Sequence, residues 1–218
     1  MANSKNKKRT VLVTAGPTRA YLDRVRYLSN YSSGWLGYYI CKALEQHFRV
    51  VAVVGPCEAP FKDLEATTVI PVETVDEMYR TVMKVCSVHR PHFAVLAAAV
   101  LDFAPKERKS GKVSSKGSWK VELKPTPKII DDLTLKFPSV RKIAFKLEWN
   151  KTSLVKLKKF AVANMRDKSA DALCLNFLSQ IKLKNHPAFL FSRDGKYKKV
   201  NTKEEIADWI KNFILTNE

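Results

Sequence analysis

TVLVTAGPTRAYLDRVRYLSNYSSGWLG, residues 10–37, is the stretch whose reading decides the fold. The apolar run Val11-Leu12-Val13 meets a tight turn at Gly16-Pro17, and a polar connector follows. Ser32-Ser33-Gly34 then opens an apolar-periodic stretch from Trp35 to Leu44. The layout is a buried strand, a loop, and a helix whose first turn is bare backbone. Unpaired N–H groups and the positive end of the helix dipole at such a turn suit a phosphate group. The expected cargo is a nucleotide or another phosphorylated small molecule.

Working outward, β-branched or continuous apolar runs predict strands near 10–15, 49–54, 67–71, 92–99, 118–124, 141–147, 171–176, 187–192 and 197–200. Helical periodicity falls near 34–47, 74–89, 126–137, 152–166 and 202–215. Strand and helix alternate through the first half, the signature of α/β architecture: a Rossmann-like, mainly parallel sheet with helices on both faces. The hairpin signal Arg193-Asp194-Gly195 predicts a small antiparallel extension near the C-terminus. We expect a basic N-terminal tail over 1–9 and one domain over 10–218. Residues 104–120, rich in Lys, Gly and Ser, read as a mobile basic loop within it.

Composition narrows the class. No apolar run approaches the roughly 18 residues of a membrane span. The basic start Lys5, Lys7, Lys8, Arg9 leads into too short an apolar segment for an export signal. Cys41, Cys57, Cys86 and Cys174 form no CxxC pair, and the four histidines show no metal-ligand spacing. Reduced thiols and a cytoplasmic location are expected. Thirty-nine Lys and Arg against 21 Asp and Glu give a net charge of +18, which favours polyanionic partners. A non-catalytic basic protein that binds nucleic acid is therefore the alternative function. The lysines are dispersed, however, and most aromatics sit in apolar runs, unlike a stacking platform for nucleic acid.

A dinucleotide site is the obvious first guess for such a topology, and the residues argue against it. Its glycines pack into one GxGxxG turn, and an acidic residue after the second strand holds the ribose. Here 17 residues separate Gly16 from Gly34, and the second strand ends at Gly55-Pro56.

Four blocks in order carry a resemblance to a known family: VLVTAGPT at 11–18, VRYLSNYSSGWLG at 25–37, AAAVLDF at 97–103 and IAFKLE at 143–148. Lys112-Val113-Ser114-Ser115 and PTPKII at 125–130 fit between the last two. Over about residues 10–215 the sequence resembles phosphopantothenate–cysteine ligase, the synthetase of coenzyme A biosynthesis that joins 4′-phosphopantothenate to L-cysteine. Many bacterial members are fused behind a flavin-dependent decarboxylase. Because this chain begins just before the first synthetase strand, the resemblance implies a stand-alone form with a separate decarboxylase protein.

The resemblance implies a two-step acyl transfer. A carboxylate attacks the α-phosphate of CTP or ATP, and the cysteine amine then displaces the nucleotide. Both steps build charge on oxygen and call for donors and cations rather than a covalent nucleophile. Asn30 matches the asparagine that contacts the acyl group; read from the residues alone, it is a helix cap. Gly16, Ser32, Gly34 and Gly37 align with nucleotide-cradling positions. Ala98, Ala99 and Asp102 fall at the C-terminal end of a strand, where pantothenate would lie. Lys112 matches the lysine that folds over the triphosphate. Phe145 and Asn176 match base-side positions, and Lys168 matches a second nucleotide-contacting lysine. Its usual companion falls at Asn164, and Lys146 replaces a small residue, so CTP and ATP both stay open. Arg26 matches an arginine that reaches the phosphopantothenate of a neighbouring subunit, which implies a homodimer. Mg²⁺ would arrive with the triphosphate, held by phosphates and water.

Overall fold

The computed structural model describes residues 8–150, 152–182 and 185–217, so most of the expected basic tail lies outside the described residues. In chain order the elements are β1 (Thr10–Ala15), β2 (Arg19–Tyr21), β3 (Tyr27–Ser29), α1 (Trp35–Leu44), β4 (Arg49–Val54), β5 (Thr67–Pro71), α2 (Val75–His89) and β6 (Phe93–Leu96). There follow β7 (Phe103–Pro105), β8 (Leu123–Pro125), α3 (Ile129–Lys136), β9 (Arg141–Glu148), α4 (Leu154–Asp167), β10 (Ala172–Phe177), β11 (Ala188–Ser192), β12 (Tyr197–Val200) and α5 (Lys203–Thr216).

Eight strands form one sheet in the order β12-β11-β10-β9-β6-β1-β4-β5. The six from β10 to β5 are parallel, and β11 and β12 add the antiparallel extension expected from the Arg193-Asp194-Gly195 turn. Alternation along β1 sorts the two faces. Val11 and Val13 pack with Ile40 and Leu44 of α1 and Ile206 and Ile210 of α5. Leu12 packs with Met78 and Val82 of α2 and Leu133 of α3, and α4 covers the far part of that second face through Leu157, Ala161 and Met165. Both strands beside β1, β4 and β6, are buried, which is why they read as continuous apolar runs.

The chain runs from β1 outward through β4 to β5, then returns to β6 on the other side of β1. The order therefore reverses between β1 and β6, and ligands of open α/β sheets bind beyond the strand ends at such a point. Two short ribbons stand above it, β2–β3 and β7–β8.

Several expectations need correction. The strand over 92–99 stops at Leu96, because Ala98 and Ala99 donate instead to Thr14 Oγ1 at 3.2 Å and Gly16 O at 2.9 Å. The strand over 118–124 contributes only Leu123–Pro125, paired with β7 outside the main sheet. The helix over 126–137 begins at Ile129, since Pro125 and Pro127 hold their neighbours extended. The polar connector after Gly16-Pro17 contains the β2–β3 ribbon. Among the described residues, no helix is long and apolar enough to cross a membrane.

Candidate active site

The exits of β1 and β4 are pressed together. An added Cβ at Gly55 would fall 1.8 Å from Pro17 O, and one at Gly16 (φ +71°) would fall 2.7 Å from Gly55 O. Only glycine fits at either position. The resulting turn brings buried Thr18 under the β6 exit, where its Oγ1 accepts Leu101 N–H at 3.0 Å. Thr14 and Thr18 thus fasten the 97–101 segment over the strand ends.

The neighbouring wall is the start of α1. Gly34 takes the left-handed conformation at the N-cap (φ +79°), and no side chain caps the helix. An added Cβ there would lie 2.5 Å from Cys57 Sγ, so this position also requires glycine. The first turn holds no acidic residue. Its N–H groups and dipole remain available to an anion, as the sequence suggested. Gly37 is buried one turn on, and an added Cβ would meet Ala15 Cβ at 2.3 Å; its absence lets α1 settle on β1. Ser32 is partly exposed in the approach to the helix. Cys57 is half-buried, and burial pushes its thiol pKa up, which keeps it protonated.

Asn30 is exposed at the end of the β2–β3 ribbon. Its Nδ2 donates to Ala99 O at 3.3 Å and Val100 O at 3.1 Å, and it caps no helix. Ala98 and Ala99 lie partly exposed in the same segment. Asp102 follows, exposed, in an ion pair with Lys128. Asn30, Ala98, Ala99, Gly16 and the α1 N-terminus therefore meet at the switch point.

Phe145 lies level with Cys174 on β10 and packs against the core on the α1 face, near the β1 exit. Asn176 is on the same face but is only 5% exposed. Its amide is already engaged: Nδ2 meets His186 Nε2 at 2.5 Å, and Oδ1 accepts from Cys174 Sγ at 3.2 Å. Burial, with the Lys203 cation nearby, pushes the His186 pKa down to about 4, so its ring is neutral. The structure does not bring Lys168 to this group. Through β9 and β6 the register sets Ala172 level with Val13, so Lys168 precedes β10 at the end of the sheet away from the strand exits, beside α3. It pairs there with Asp131 at 2.8 Å.

Arg26 and Lys112 are tied to each other's surroundings. Arg26 Nη1 meets Asp23 Oδ2 at 2.7 Å, and its two terminal nitrogens donate to Val113 O at 3.2 and 3.3 Å. Lys112 is exposed next to Val113. The basic loop thus lies against the β2–β3 turn. The ribbon itself is anchored by Arg19, whose N–H donates to Glu73 O at 2.8 Å and whose guanidinium pairs with the Glu73 carboxylate. Hydrogen bonds from Tyr21 and Arg19 hold that carboxyl below the usual carboxylate range.

No cluster of three or more His, Cys, Asp or Glu that could hold a metal occurs among the described residues. The donors gathered here are backbone N–H groups, amides and cations, a set that fits a polyphosphate carrying its own ion.

Sequence reasoning passed over Thr18, Asp23, Gly55 and His186. Thr18 and Asp23 lie inside or beside the quoted blocks, and Gly55 ends an apolar run before proline. Nothing in the sequence singles out His186.

The family model described as the DNA/pantothenate metabolism flavoprotein C-terminal domain matches residues 6–217. The coenzyme A biosynthesis bifunctional protein CoaBC of Thermococcus kodakarensis is 34% identical over 201 residues, covering 91% of this chain and 49% of that protein. The chain thus spans about half the length of this relative. The crystal structure of the C-terminal domain of a CoaBC protein superposes with a TM-score of 0.77 at 25% identity, covering 97% of this chain and 98% of that one. The DNA/pantothenate metabolism flavoprotein of Streptococcus pneumoniae gives a TM-score of 0.85 at 22% identity, covering 96% and 100%, and shares the fold. The chain belongs to the family of the DNA/pantothenate metabolism flavoprotein C-terminal domain.

Proposed function

We propose that this protein is a phosphopantothenate–cysteine ligase acting through an acyl-nucleotidylate. The observation that carries the reading is the convergence of Asn30, the small residues Ala98 and Ala99, and an uncapped helix start at the switch point of a chain belonging to this family. The carboxylate of 4′-phosphopantothenate attacks the α-phosphate of CTP or ATP, forming an acyl–phosphate bond and breaking the bond to pyrophosphate. The cysteine amine then attacks the acyl carbon, forming the amide as nucleoside monophosphate leaves with its bonding electron pair. The product keeps the cysteine carboxylate and is a substrate for a decarboxylase.

In this reading the triphosphate lies against the Gly16 and Gly34 turns and Ser32, with its base toward Phe145. Lys112 offsets the charge that grows as pyrophosphate departs. Asn30 steadies the acyl oxygens, and Asp102 addresses the hydroxyl or amide groups of the pantothenate arm. Mg²⁺ would come bound to the triphosphate and supply further charge neutralisation. Asn176 supports the base side through His186, while Lys168, paired with Asp131 of α3, stays outside this set.

The working unit is a homodimer in which Arg26 meets the phosphopantothenate of the other subunit. Val25, Tyr27, Phe103 and Leu123 on the two ribbons are 58, 44, 53 and 45% exposed, apolar surface that a second copy would cover. A cytoplasmic setting suits these substrates. The nucleic-acid alternative rests on net charge alone and is not favoured.

Exchange of labelled pyrophosphate into the nucleoside triphosphate, without cysteine, tests the intermediate. Exchange that requires phosphopantothenate supports it, and exchange indifferent to phosphopantothenate contradicts it.

A further inference from the structure

Asp23 sits in the turn between β2 and β3 with its side chain fully buried. Four hydrogen bonds fill its carboxylate. Oδ1 accepts the N–H groups of Val25 and Arg26, both at 2.8 Å. Oδ2 accepts Arg26 Nη1 at 2.7 Å and Val113 N–H at 3.1 Å. One oxygen thus shapes the turn, and the other reaches 90 residues along the chain to the basic loop. Burial opposes ionisation, but the N–H groups of Val25, Val113 and Arg26 and the guanidinium hold the carboxyl below the usual carboxylate range.

The loop's other contacts converge on the same turn. Lys109 N–H donates to Leu22 O at 3.0 Å, and Arg24 N–H approaches Gly111 O at 3.4 Å. The Arg108 guanidinium lies 4.8 Å from the Tyr21 ring centre, and that of Arg26 lies 5.6 Å from Trp119. At its base the loop closes through Lys106 N–H to Glu122 O at 2.9 Å. Lys112 stands between Gly111 and Val113, both bonded to the turn, with its own side chain exposed.

We propose that Asp23 is a positioning residue that locks Arg26 and the Lys112 segment into one unit, setting both cations for their ligands. The inference rests on the ligase reading for the roles of the two cations; the lock itself rests on the geometry. A flexible loop in this place would have to order at each turnover, whereas a docked one presents Lys112 in place.

The chemistry supplies a selective variant. In Asp23→Asn the remaining oxygen keeps the turn, while the amide NH₂ faces the Val113 N–H and the Arg26 guanidinium, donor against donor. The loop should come free without loss of the ribbon. Trypsin cleavage after Lys109, Lys112 and Lys116 should accelerate by about tenfold or more, as expected when a charge-assisted bond is lost. The kcat for pyrophosphate release should fall roughly 10- to 100-fold, the scale of a misplaced catalytic group. Lys112→Ala should cost much less in the Asp23→Asn background than in the wild type, because the side chain has already lost its placement. Unchanged cleavage, or a Lys112→Ala loss of equal size in both backgrounds, would overturn the proposal. The cleavage rate needs no substrate. Wild-type protein without ligase activity would therefore retire the ligase reading, while the cleavage comparison would still decide the lock.

Discussion

The side-chain amide of Asn30 donates to the carbonyl of Val100 at 3.1 Å, joining the connector that leaves β3 to the segment that leaves β6. Two walls of the switch-point crevice are thereby held at a fixed spacing, with Asn30 between them. The bond also fixes the orientation of the amide, with its NH₂ toward the carbonyls of residues 99 and 100.

Asn30→Ala should lower kcat by roughly 10²–10³-fold, the usual cost of one lost oxyanion donor. The stability cost should stay near 1 kcal/mol, since one exposed bond network is lost. Asn30→Asp should be the less stable variant, because a carboxylate would face the two carbonyl oxygens. Steady-state pyrophosphate release and thermal melts check both. Near-normal turnover in the alanine variant would remove Asn30 from the chemistry.

Gly55→Ala forces a methyl against a backbone oxygen that cannot move independently of the β1 turn. We expect Tm to drop by roughly 5–10 °C, or folding to fail. Gly111→Ala, with open space around it, should shift stability by less than about 0.5 kcal/mol. Equal melting curves for the two variants would contradict the packing described at the strand exits.

If Arg26 serves the neighbouring subunit, two inactive variants should rescue each other. In a heterodimer of Asn30→Ala with Arg26→Ala, one of the two sites receives both native residues. An equal mixture, after subunit exchange, should regain about a quarter of wild-type activity. No recovery from an exchanged mixture would place Arg26 in its own subunit's site.

His186 gives the stability a pH signature. Its pKa in the folded chain is about 4, below the ordinary value of 6.5, because burial disfavours the cation. Between those values the unfolded chain binds a proton that the folded chain does not, so stability falls as pH drops from about 6.5 to 4. The slope from one such group is at most about 1.4 kcal/mol per pH unit. His186→Gln, which can still bond Asn176, should flatten Tm against pH in this window. An unchanged slope would show that the imidazole titrates normally.

The parts of this fold set by local pattern were legible in the sequence. β1 and α1 declare themselves by burial and period, and the hairpin at Arg193-Asp194-Gly195 by turn chemistry. The β2–β3 ribbon did not, because its three-residue strands owe their pairing to Asp23 and Glu73, whose partners lie far along the chain. Strand β8 was misread for a related reason: its apolar residues pair with β7 and never enter the main sheet. At the site, Gly16 and Gly34 could be singled out because strand ends and helix starts are local features. Asn30 and Phe145 are marked only by the family resemblance: read alone, Asn30 suggests a helix cap, which the structure does not show. The burial of Asn176 against His186, and the placement of Lys168 before β10 and beside α3, depend on β10 register and on packing between distant segments. No local pattern encodes those.

The most direct test of the account is pyrophosphate release from the full chain with 4′-phosphopantothenate, L-cysteine, Mg²⁺ and either CTP or ATP, with the product followed by mass spectrometry. The account predicts an amide of phosphopantothenate and cysteine, formed in equal amount with pyrophosphate and only when all substrates are present. Folded protein that yields neither product with either triphosphate would contradict it.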